Sequence, residues 1–265
     1  MLFCNIDLLD EKFETKRNQY VGVKDGRIAY IGASEPEEDF GERYDGRHRL
    51  LMPAFYNVHS HAPMTLLRGY AENLPLQRWL GEKVFPFEDQ IDDEAAYYGT
   101  LLAISEMLAS GTASFSDMYF FFGGMVPAIL ESGIKCNLSR GLTVFDDSDY
   151  TDLPAYRDNV RLRGEWNGAN NGRLIGDLCI HGEYTSNPKI VEAVAQHARE
   201  TGARIQIHLS ETQTEHEECR QRHGLTPAAY MEAHGIFDSP TTAAHCVWLE
   251  DEDFDILKKH NVSVA

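Results

Sequence analysis

Basic residues are scarce in this chain, and their scarcity excludes two classes of partner. The 265 residues include 24 lysines and arginines against 42 aspartates and glutamates, a formal net charge of −18 at pH 7. Such a balance disfavours binding to the phosphate backbone of nucleic acids and to anionic membrane surfaces. Long apolar runs are absent too, and no stretch is long enough to span a bilayer. We therefore expect neither nucleic acid nor membrane as a partner.

Cysteine is sparse and scattered along the chain. None of the five cysteines forms a C-x-x-C pair, the spacing that would favour a metal site or a redox-active pair. Their pattern predicts free thiols and therefore a reducing, cytoplasmic compartment. Hydrophobic residues, by contrast, make up 43% of the chain, which is enough for a sizeable core.

The first 50 residues differ in pattern from the rest. Residues 20–31 alternate in strand fashion around Asp25-Gly26, and Asp-Gly supplies the positive φ values of a tight hairpin turn. From residue 51 onwards, short apolar strand candidates alternate with helical patterns, which predicts a parallel sheet covered by helices. The sequence thus predicts a small β element at 1–50 and an α/β domain at 51–265. The strand candidates are 51–58, 112–118, 134–141, 173–180, 203–209 and 241–245.

Histidines occur at the carboxyl ends of these predicted strands. His59 and His61 lie two residues apart at the end of the first strand, so both imidazoles would project from one face and could hold one metal ion. His181, His208 and His245 end the fourth, fifth and sixth strands. An open sheet would keep the first and sixth strands far apart, whereas in a (β/α)8 barrel all strand ends converge on one mouth. The histidines therefore favour a TIM-type barrel.

Each of these residues also has a simpler explanation. With 11 histidines in the chain, an H-x-H pair can arise by chance. His181 could be a core histidine whose hydrogen bonds are satisfied locally, and Glu211 could be favoured by the dipole at a helix N-terminus. The remaining histidines lie in polar or helical settings and are predicted to be solvated. They are His48, His197, His216, His223, His234 and His260.

The strand-end histidines belong to a set of short motifs. The motifs are Pro53-Ala54-Phe55-Tyr56-Asn57-Val58-His59-Ser60-His61, Leu66-Leu67-Arg68-Gly69, Trp79-Leu80, Pro86-Phe87-Glu88, His208-Leu209-Ser210-Glu211 and Ala244-His245-Cys246. Together they resemble the amidohydrolase superfamily, and in particular its 5′-methylthioadenosine/S-adenosylhomocysteine deaminases, beside the triazine chlorohydrolases. The segment 23–28 resembles the superfamily's N-terminal β-sandwich strands. The resemblance therefore implies a (β/α)8 barrel preceded by a small β-sandwich.

The same resemblance implies a mononuclear metal site with two catalytic groups. His59, His61 and His208 would bind one Zn²⁺ or Fe²⁺ ion. His245 would hold the attacking water and the leaving region of the substrate. Glu211 would move protons as a general acid and base, the role that a carboxyl group can fill beside an activated water.

Five further residues would contact the substrate. By the resemblance, His181 would hydrogen-bond a purine ring, and Glu88 would accept ribose hydroxyls, which suits a carboxylate acceptor. Trp79, Arg68 and Arg140 would shape the pocket. The implied substrate is a small-molecule purine nucleoside.

The implied reaction is metal-dependent hydrolytic deamination of methylthioadenosine or S-adenosylhomocysteine, with release of ammonia. Two alternatives stay open: a triazine- or guanine-type amidohydrolase or chlorohydrolase, and an inactive metal-binding protein. The other zinc deaminase fold requires H-x-E paired with P-C-x-x-C, and no P-C-x-x-C is present to make that pair.

Six strand–helix units precede residue 260, and residues 261–265 are apolar and β-branched like the start of a seventh strand. A complete barrel needs eight such units, so the sequence predicts a barrel cut in its seventh strand. The carboxylate ligand that the resemblance places on the eighth strand is assigned to no residue. Such a chain alone is expected to lack deaminase activity and to be oligomeric or poorly soluble, because open apolar edges pair with other chains.

Overall fold

The N-terminal part of the protein is built on a β-sheet. The computed structural model describes residues 1–70 and 73–265, and the chain divides into two units, Met1–Phe55 and Tyr56–Ala265. In the first sheet the strand order is β3-β2-β1-β4, and β5 also pairs with β1. The strands are β1 (Leu2–Leu9), β2 (Thr15–Lys24), β3 (Arg27–Gly32), β4 (Arg43–Asp45) and β5 (Leu50–Leu51).

The turn between β2 and β3 has the conformation that its sequence predicts. Asp25 and Gly26 have φ values of 52° and 71°, and Lys24 pairs with Arg27 across them. Positive φ at both central positions is the type I′ turn, whose twist matches that of the flanking strands. The hairpin prediction is confirmed.

The second unit is organised around a seven-stranded sheet whose strand order, β12-β11-β10-β9-β8-β7-β6, follows the chain. The pairings from β7 to β12 are parallel, so the prediction of a parallel α/β sheet is confirmed. The strands are β6 (Phe55–Ser60), β7 (Thr112–Tyr119), β8 (Lys135–Arg140), β9 (Leu174–Ile180), β10 (Ile205–Leu209), β11 (Thr241–His245) and β12 (Ser263–Val264).

Helices connect successive strands and cover the sheet. In the core, Ile205, Ile207 and Leu209 of β10 are fully buried, as are Ile190 and Val194 of helix α7. None of the helices in the described ranges is both long and apolar enough to cross a membrane. The helices are α1 (Leu76–Trp79), α2 (Phe85–Glu88), α3 (Asp93–Ala109), α4 (Phe122–Ser132), α5 (Pro154–Arg161), α6 (Ala169–Gly172), α7 (Pro188–Thr201), α8 (Gln213–His223), α9 (Pro227–Ala233) and α10 (Asp251–Lys259).

The first predicted strand, 51–58, is not one buried strand. Leu50–Leu51 forms β5 and pairs with β1, whereas β6 begins only at Phe55. Pro53 lies between them, and a proline has no N–H to donate to a strand ladder. Tyr56 and Val58 are 64% and 48% exposed. The apolar run is therefore shared between two sheets, and hydrophobic pattern alone does not locate such a break.

The second sheet is strongly curled. Neighbouring strands lie about 4.8 Å apart, so five steps would separate β6 from β11 by about 24 Å in a flat sheet. The ring centroids of His59 at the end of β6 and His245 at the end of β11 are only 5.1 Å apart. The parallel strands thus form a half-barrel whose carboxyl ends meet at one mouth, as the strand-end histidines predict.

Close packing of α3 against α4 depends on Gly124. A Cβ atom there would lie 2.0 Å from the carbonyl oxygen of Asp93 and 2.8 Å from the amide nitrogen of Tyr97. Gly124→Ala should therefore lower the free energy of unfolding by about 1–3 kcal/mol in urea titrations, since backbone must move. Gly164→Ala is the matched control, because nothing lies within 4 Å of its Cβ position. Equal effects of the two changes would contradict this packing.

Candidate active site

Five histidines meet at the mouth of the half-barrel. His59 and His61 come from the end of β6, and His181, His208 and His245 come from the ends of β9, β10 and β11. The ring centroid of His59 lies 4.9 Å from those of both His61 and His208. The ring of His208 lies 4.7 Å from His181 and 5.3 Å from His245. Residues distant in the sequence therefore surround one small space.

Backbone carbonyls orient two of these imidazoles. Nδ1 of His61 lies 2.6 Å from the carbonyl oxygen of Met118, and Nδ1 of His208 lies 2.6 Å from that of His181. When Nδ1–H donates to a carbonyl, a neutral imidazole keeps a free lone pair on Nε2. The two Nε2 atoms are 3.4 Å apart, so these lone pairs face each other. This is the arrangement expected of metal-ligating histidines.

Burial favours the uncharged form of four of these histidines, His59, His61, His181 and His208. Desolvation, reinforced by neighbouring histidines, lowers the pKa of His59 to about 3 and that of His181 to about 4. The same causes hold the pKa of His208 well below its usual value, and burial lowers that of His61. Neutral imidazole is the form that binds a metal ion. The cluster is therefore ready to bind a cation near neutral pH.

The donor set fits a divalent ion such as Zn²⁺. Two nitrogens bound tetrahedrally at about 2.1 Å would be about 3.4 Å apart, which matches the Nε2 separation of His61 and His208. Ligand atoms of His59, His208 and His245 also lie within 4.8 Å of one another. Two possible triads thus share His59 and His208, and the third member is either His61 or His245.

Strained turns follow the strands that carry these histidines. Ser210, His245 and Cys246 have φ values of 49°, 76° and 52°, in a region that residues other than glycine rarely occupy. The carbonyl oxygen of Ser210 accepts the amides of Val247 and Trp248 at 3.0 and 2.9 Å. Strain of this kind persists only where surrounding contacts enforce it, and it concentrates at functional sites.

Two carboxyl groups lie beside the turn after β10. Oε2 of Glu211 is 3.8 Å from Nε2 of His245, and both side chains are half-buried. Glu215, which is buried, accepts the amide of Ser210 on one oxygen at 3.0 Å and that of Glu211 on the other at 2.7 Å. Burial raises the pKa of Glu215 to about 7 against the opposing effect of these hydrogen bonds. Thr212-x-x-Glu215, a capping-box signature, could have pointed to Glu215 from the sequence.

A cavity of about 680 Å³ opens above the histidines. Its size lies within the range of small-molecule sites, which are typically apolar with a few polar groups. One wall is aromatic and aliphatic, and the floor carries the histidines with Glu211. Among the predicted substrate-contact residues, the lining includes Trp79, Glu88, Arg140 and His181, and its apolar wall includes Leu76, Leu80, Phe85, Phe120 and Phe121.

Tyr119 fixes the position of Glu88. The Tyr119 hydroxyl donates to Oε1 of Glu88 at 2.6 Å. Burial raises the pKa of the Glu88 carboxyl, and the hydrogen bond from Tyr119 acts in the opposite direction. Glu88 therefore presents to the cavity a hydrogen-bond acceptor whose position is fixed by Tyr119. Tyr119 was not among the residues singled out from the sequence.

The two predicted arginines differ in position. Arg140 lines the cavity, donates from Nε to Asp158 at 3.0 Å and lies over the ring of Phe120. Arg68 does not line it. Its guanidinium forms a two-pronged ion pair with Glu106, at 2.8 and 2.7 Å, on the exposed surface. The expectation that Arg68 shapes the pocket is therefore wrong. Arg68 instead pairs with Glu106 of α3, outside the cavity.

His216 is buried rather than solvated. Its Nε2 lies 3.0 Å from a carboxylate oxygen of Glu250. His197 is half-buried and its Nδ1 lies 3.0 Å from the hydroxyl of Tyr150. The prediction of solvation is wrong for His216, because helix periodicity alone did not indicate which face of α8 packs inward.

Asp117, in the middle of β7, holds the turn that carries His61. Oδ2 accepts the amide of Ala62 at 2.6 Å and lies 3.0 Å from Oγ of Ser60. Oδ1 has no hydrogen-bond partner within the described part of the chain. Burial raises the pKa of this carboxyl to about 7. No motif marked Asp117 in the sequence, since its role depends on strand pairing.

Comparisons with known proteins all indicate one protein family. The sequence profile of the amidohydrolase family matches residues 50–265. A 5-methylthioadenosine/S-adenosylhomocysteine deaminase of Syntrophomonas wolfei subsp. wolfei is 40% identical over 249 residues, covering 93% of this chain and 57% of the relative. A 5′-deoxyadenosine deaminase of Methanothermobacter thermautotrophicus is 36% identical over 249 residues, covering 94% of this chain and 58% of the relative. The chain thus spans less than two thirds of these relatives.

A similar fold occurs among solved structures. The crystal structure of an adenosine deaminase from Xanthomonas campestris, with bound zinc, superposes with a TM-score of 0.82 at 25% identity. The superposition covers 99% of this chain and 61% of that one. The strand-end mouth described above is therefore part of an architecture shared with a zinc-containing deaminase.

Asp117 should make stability depend on pH. The folded state keeps its proton up to about pH 7, whereas an unfolded aspartate loses it near pH ~4. Between these values the folded state binds more protons, so the free energy of unfolding falls as pH rises, by at most about 1.4 kcal/mol per unit. This stabilisation is fully present below about pH 4 and is lost above about pH 7.

Asp117→Asn should flatten that dependence, because an amide does not titrate. Urea denaturation of both proteins at several pH values between about 4 and 8, with chelator present, measures the two slopes. Parallel slopes would show that the Asp117 carboxyl does not titrate in this range.

Proposed function

This chain belongs to the amidohydrolase family, and we propose that the whole protein is a metal-dependent hydrolytic deaminase of adenosine-type nucleosides. The proposed substrates are 5′-methylthioadenosine and S-adenosylhomocysteine, with release of ammonia. The observation that carries the proposal is the convergence of Nε2 atoms from His61 and His208, at 3.4 Å, below a cavity that also contains Glu211. The names of the relatives, at 36% to 40% identity, support the substrate class.

His59, His61 and His208 would hold one Zn²⁺ or Fe²⁺ ion. A divalent ion held there supplies Lewis-acid activation of water at neutral pH. The carbonyls of Met118 and His181 orient two of the rings, so little reorganisation is needed on binding. His245, 3.8 Å from Glu211, would hold the attacking water rather than the ion.

Glu211 would transfer protons. Its carboxylate lines the cavity beside His245, within reach of a nucleobase held over the histidines. The departing amine leaves as ammonia only after it gains a proton. A carboxyl group that exchanges protons with the attacking water and with the nucleobase ring can supply that proton. His181, which also lines the cavity, would bond the purine ring.

Glu88 favours a ribose-bearing substrate over a free base. Tyr119 holds one oxygen of the carboxylate, and a carboxylate is an acceptor suited to vicinal hydroxyls. Trp79 lies in the apolar wall, and Arg140 lies in the lining near Phe120. A triazine or a free guanine offers no ribose hydroxyls, so this acceptor favours the nucleoside over those alternatives. The free thiols fit a cytoplasmic location.

Single variants of His61 and His245 distinguish the two possible metal triads. His61→Ala should remove most bound zinc or iron from the purified protein, because it deletes a ligand. His245→Ala should keep the ion and lose activity. Metal analysis of both variants shows which triad holds the ion, and His48→Ala serves as a control at an exposed histidine. Retention of metal by His61→Ala and its loss from His245→Ala would instead assign His245 as the ligand.

Ammonia release tests the function itself. The whole protein, loaded with zinc, should release ammonia from 5′-methylthioadenosine and S-adenosylhomocysteine faster than from free adenine or guanine. Glu211→Gln should keep the ion and lower turnover by about 10²- to 10⁴-fold, the usual contribution of a general acid/base group. Turnover confined to free bases or triazines would overturn the substrate assignment, and a fully active Glu211→Gln would remove Glu211 from the chemistry.

A further inference from the structure

A buried carboxylate outside the cavity holds the turn on which Glu211 is placed. Glu215 is 3% exposed and lies in the first turn of α8. Its Oε1 accepts the amide of Ser210 and its Oε2 accepts that of Glu211. Both oxygens thus bind the backbone just after β10, so that backbone has little freedom to shift.

The hydrogen bonds of Glu215 extend beyond an ordinary helix cap. Thr212 caps α8, because its side chain accepts the amide of Glu215 at 3.1 Å. In a capping box the N3 carboxylate would return to the amide of the cap residue itself. The carboxylate of Glu215 also binds the amides of the two residues before Thr212. The motif therefore secures the strand end as well as the helix.

The turn after β10 is also hydrogen-bonded to the segment that follows β11. The carbonyl oxygen of Ser210 accepts the amides of Val247 and Trp248. These follow His245, whose φ of 76° needs support from its surroundings. A chain of hydrogen bonds therefore leads from Glu215 through the Ser210 peptide groups to the segment after His245.

We infer that Glu215 is a positioning residue that holds Glu211 and His245 at their working separation. The inference rests on the proposed function, since that gives Glu211 and His245 their roles. The side chain of Glu215 does not line the cavity. It acts through the backbone, where an error of about 1 Å at a reacting group can cost about 100-fold in rate.

Glu215→Gln is the direct test, because an amide keeps one acceptor oxygen and replaces the other with a donor. In the zinc-loaded whole protein, kcat for ammonia release should fall by about 10- to 100-fold. KM and metal content should stay within about twofold, since the metal and substrate contacts remain. Glu217→Gln is the matched control. Glu217 is an exposed glutamate of the same helix that accepts a hydrogen bond from the side chain of Gln213, and its change should leave kcat unaltered.

Hydrogen exchange separates this inference from the proposed function. Amides of residues 210–211 and 246–248 should exchange faster in Glu215→Gln than in the wild type, while those of α7 stay unchanged. If the wild type releases no ammonia from any nucleoside, the proposed function fails and the exchange experiment still tests the hydrogen bonds. Wild-type exchange rates at 210–211 in the variant, or an undiminished kcat in an active enzyme, would overturn the inference.

If the Glu215→Gln protein fails to fold, Glu215→Asp provides the test. Aspartate keeps the charge but is one methylene shorter, so it reaches the two amides less well. A folded Glu215→Asp protein should show the same split, with reduced kcat and retained KM and metal. Normal kcat in that variant, with faster exchange at 210–211, would show that the hydrogen bonds do not govern catalysis.

Discussion

Uncharged imidazoles packed against one another are the constraint on which the rest of this structure depends. Neighbouring rings among His59, His61, His181 and His208, whose centroids lie 4.7–5.3 Å apart, could not all carry an added proton, because adjacent buried positive charges repel strongly. Burial removes the charge, and it also leaves lone pairs that face one another without a proton between them. Such a cluster is favoured where backbone acceptors fix the rings, as they do for His61 and His208, and where the lone pairs can share a cation. The curl of the sheet supplies the first condition by bringing the strand ends together.

Neighbouring strands orient each other's histidines. His61 follows β6, and its ring is fixed by the carbonyl of Met118 in β7. His208 lies in β10, and its ring is fixed by the carbonyl of His181 at the end of β9. In a parallel sheet the carbonyls of one strand end lie beside the side chains of the next, so the fold itself provides these acceptors. Asp117 and Glu215 extend the pattern, since Asp117 accepts one amide and Glu215 two amides from a turn beside one of these histidines.

Features that depend on local pattern could be predicted from the sequence, and features that depend on pairing could not. The Asp25-Gly26 hairpin and the parallel order of the strands follow from periodicity and turn chemistry. The break at Pro53, the outward ion pair of Arg68 and the burial of His216 depend on which surface each segment meets. The role of Asp117 needs the register of β7 beside β6. Sequence pattern predicts which residues lie at the strand ends and therefore at the mouth. It does not predict the hydrogen-bond or ion-pair partner of each side chain.

The winding order of the half-barrel has a consequence for chain entropy. His61 and His208 meet although 147 residues separate them, because the strands between them are added one after another around the curve. An ion bound by both would act as a cross-link closing a very long loop. The entropy lost by closing such a loop grows only with the logarithm of its length. A bound ion would therefore restrict the unfolded chain much as a long-range disulfide does, in a chain whose five thiols are all free.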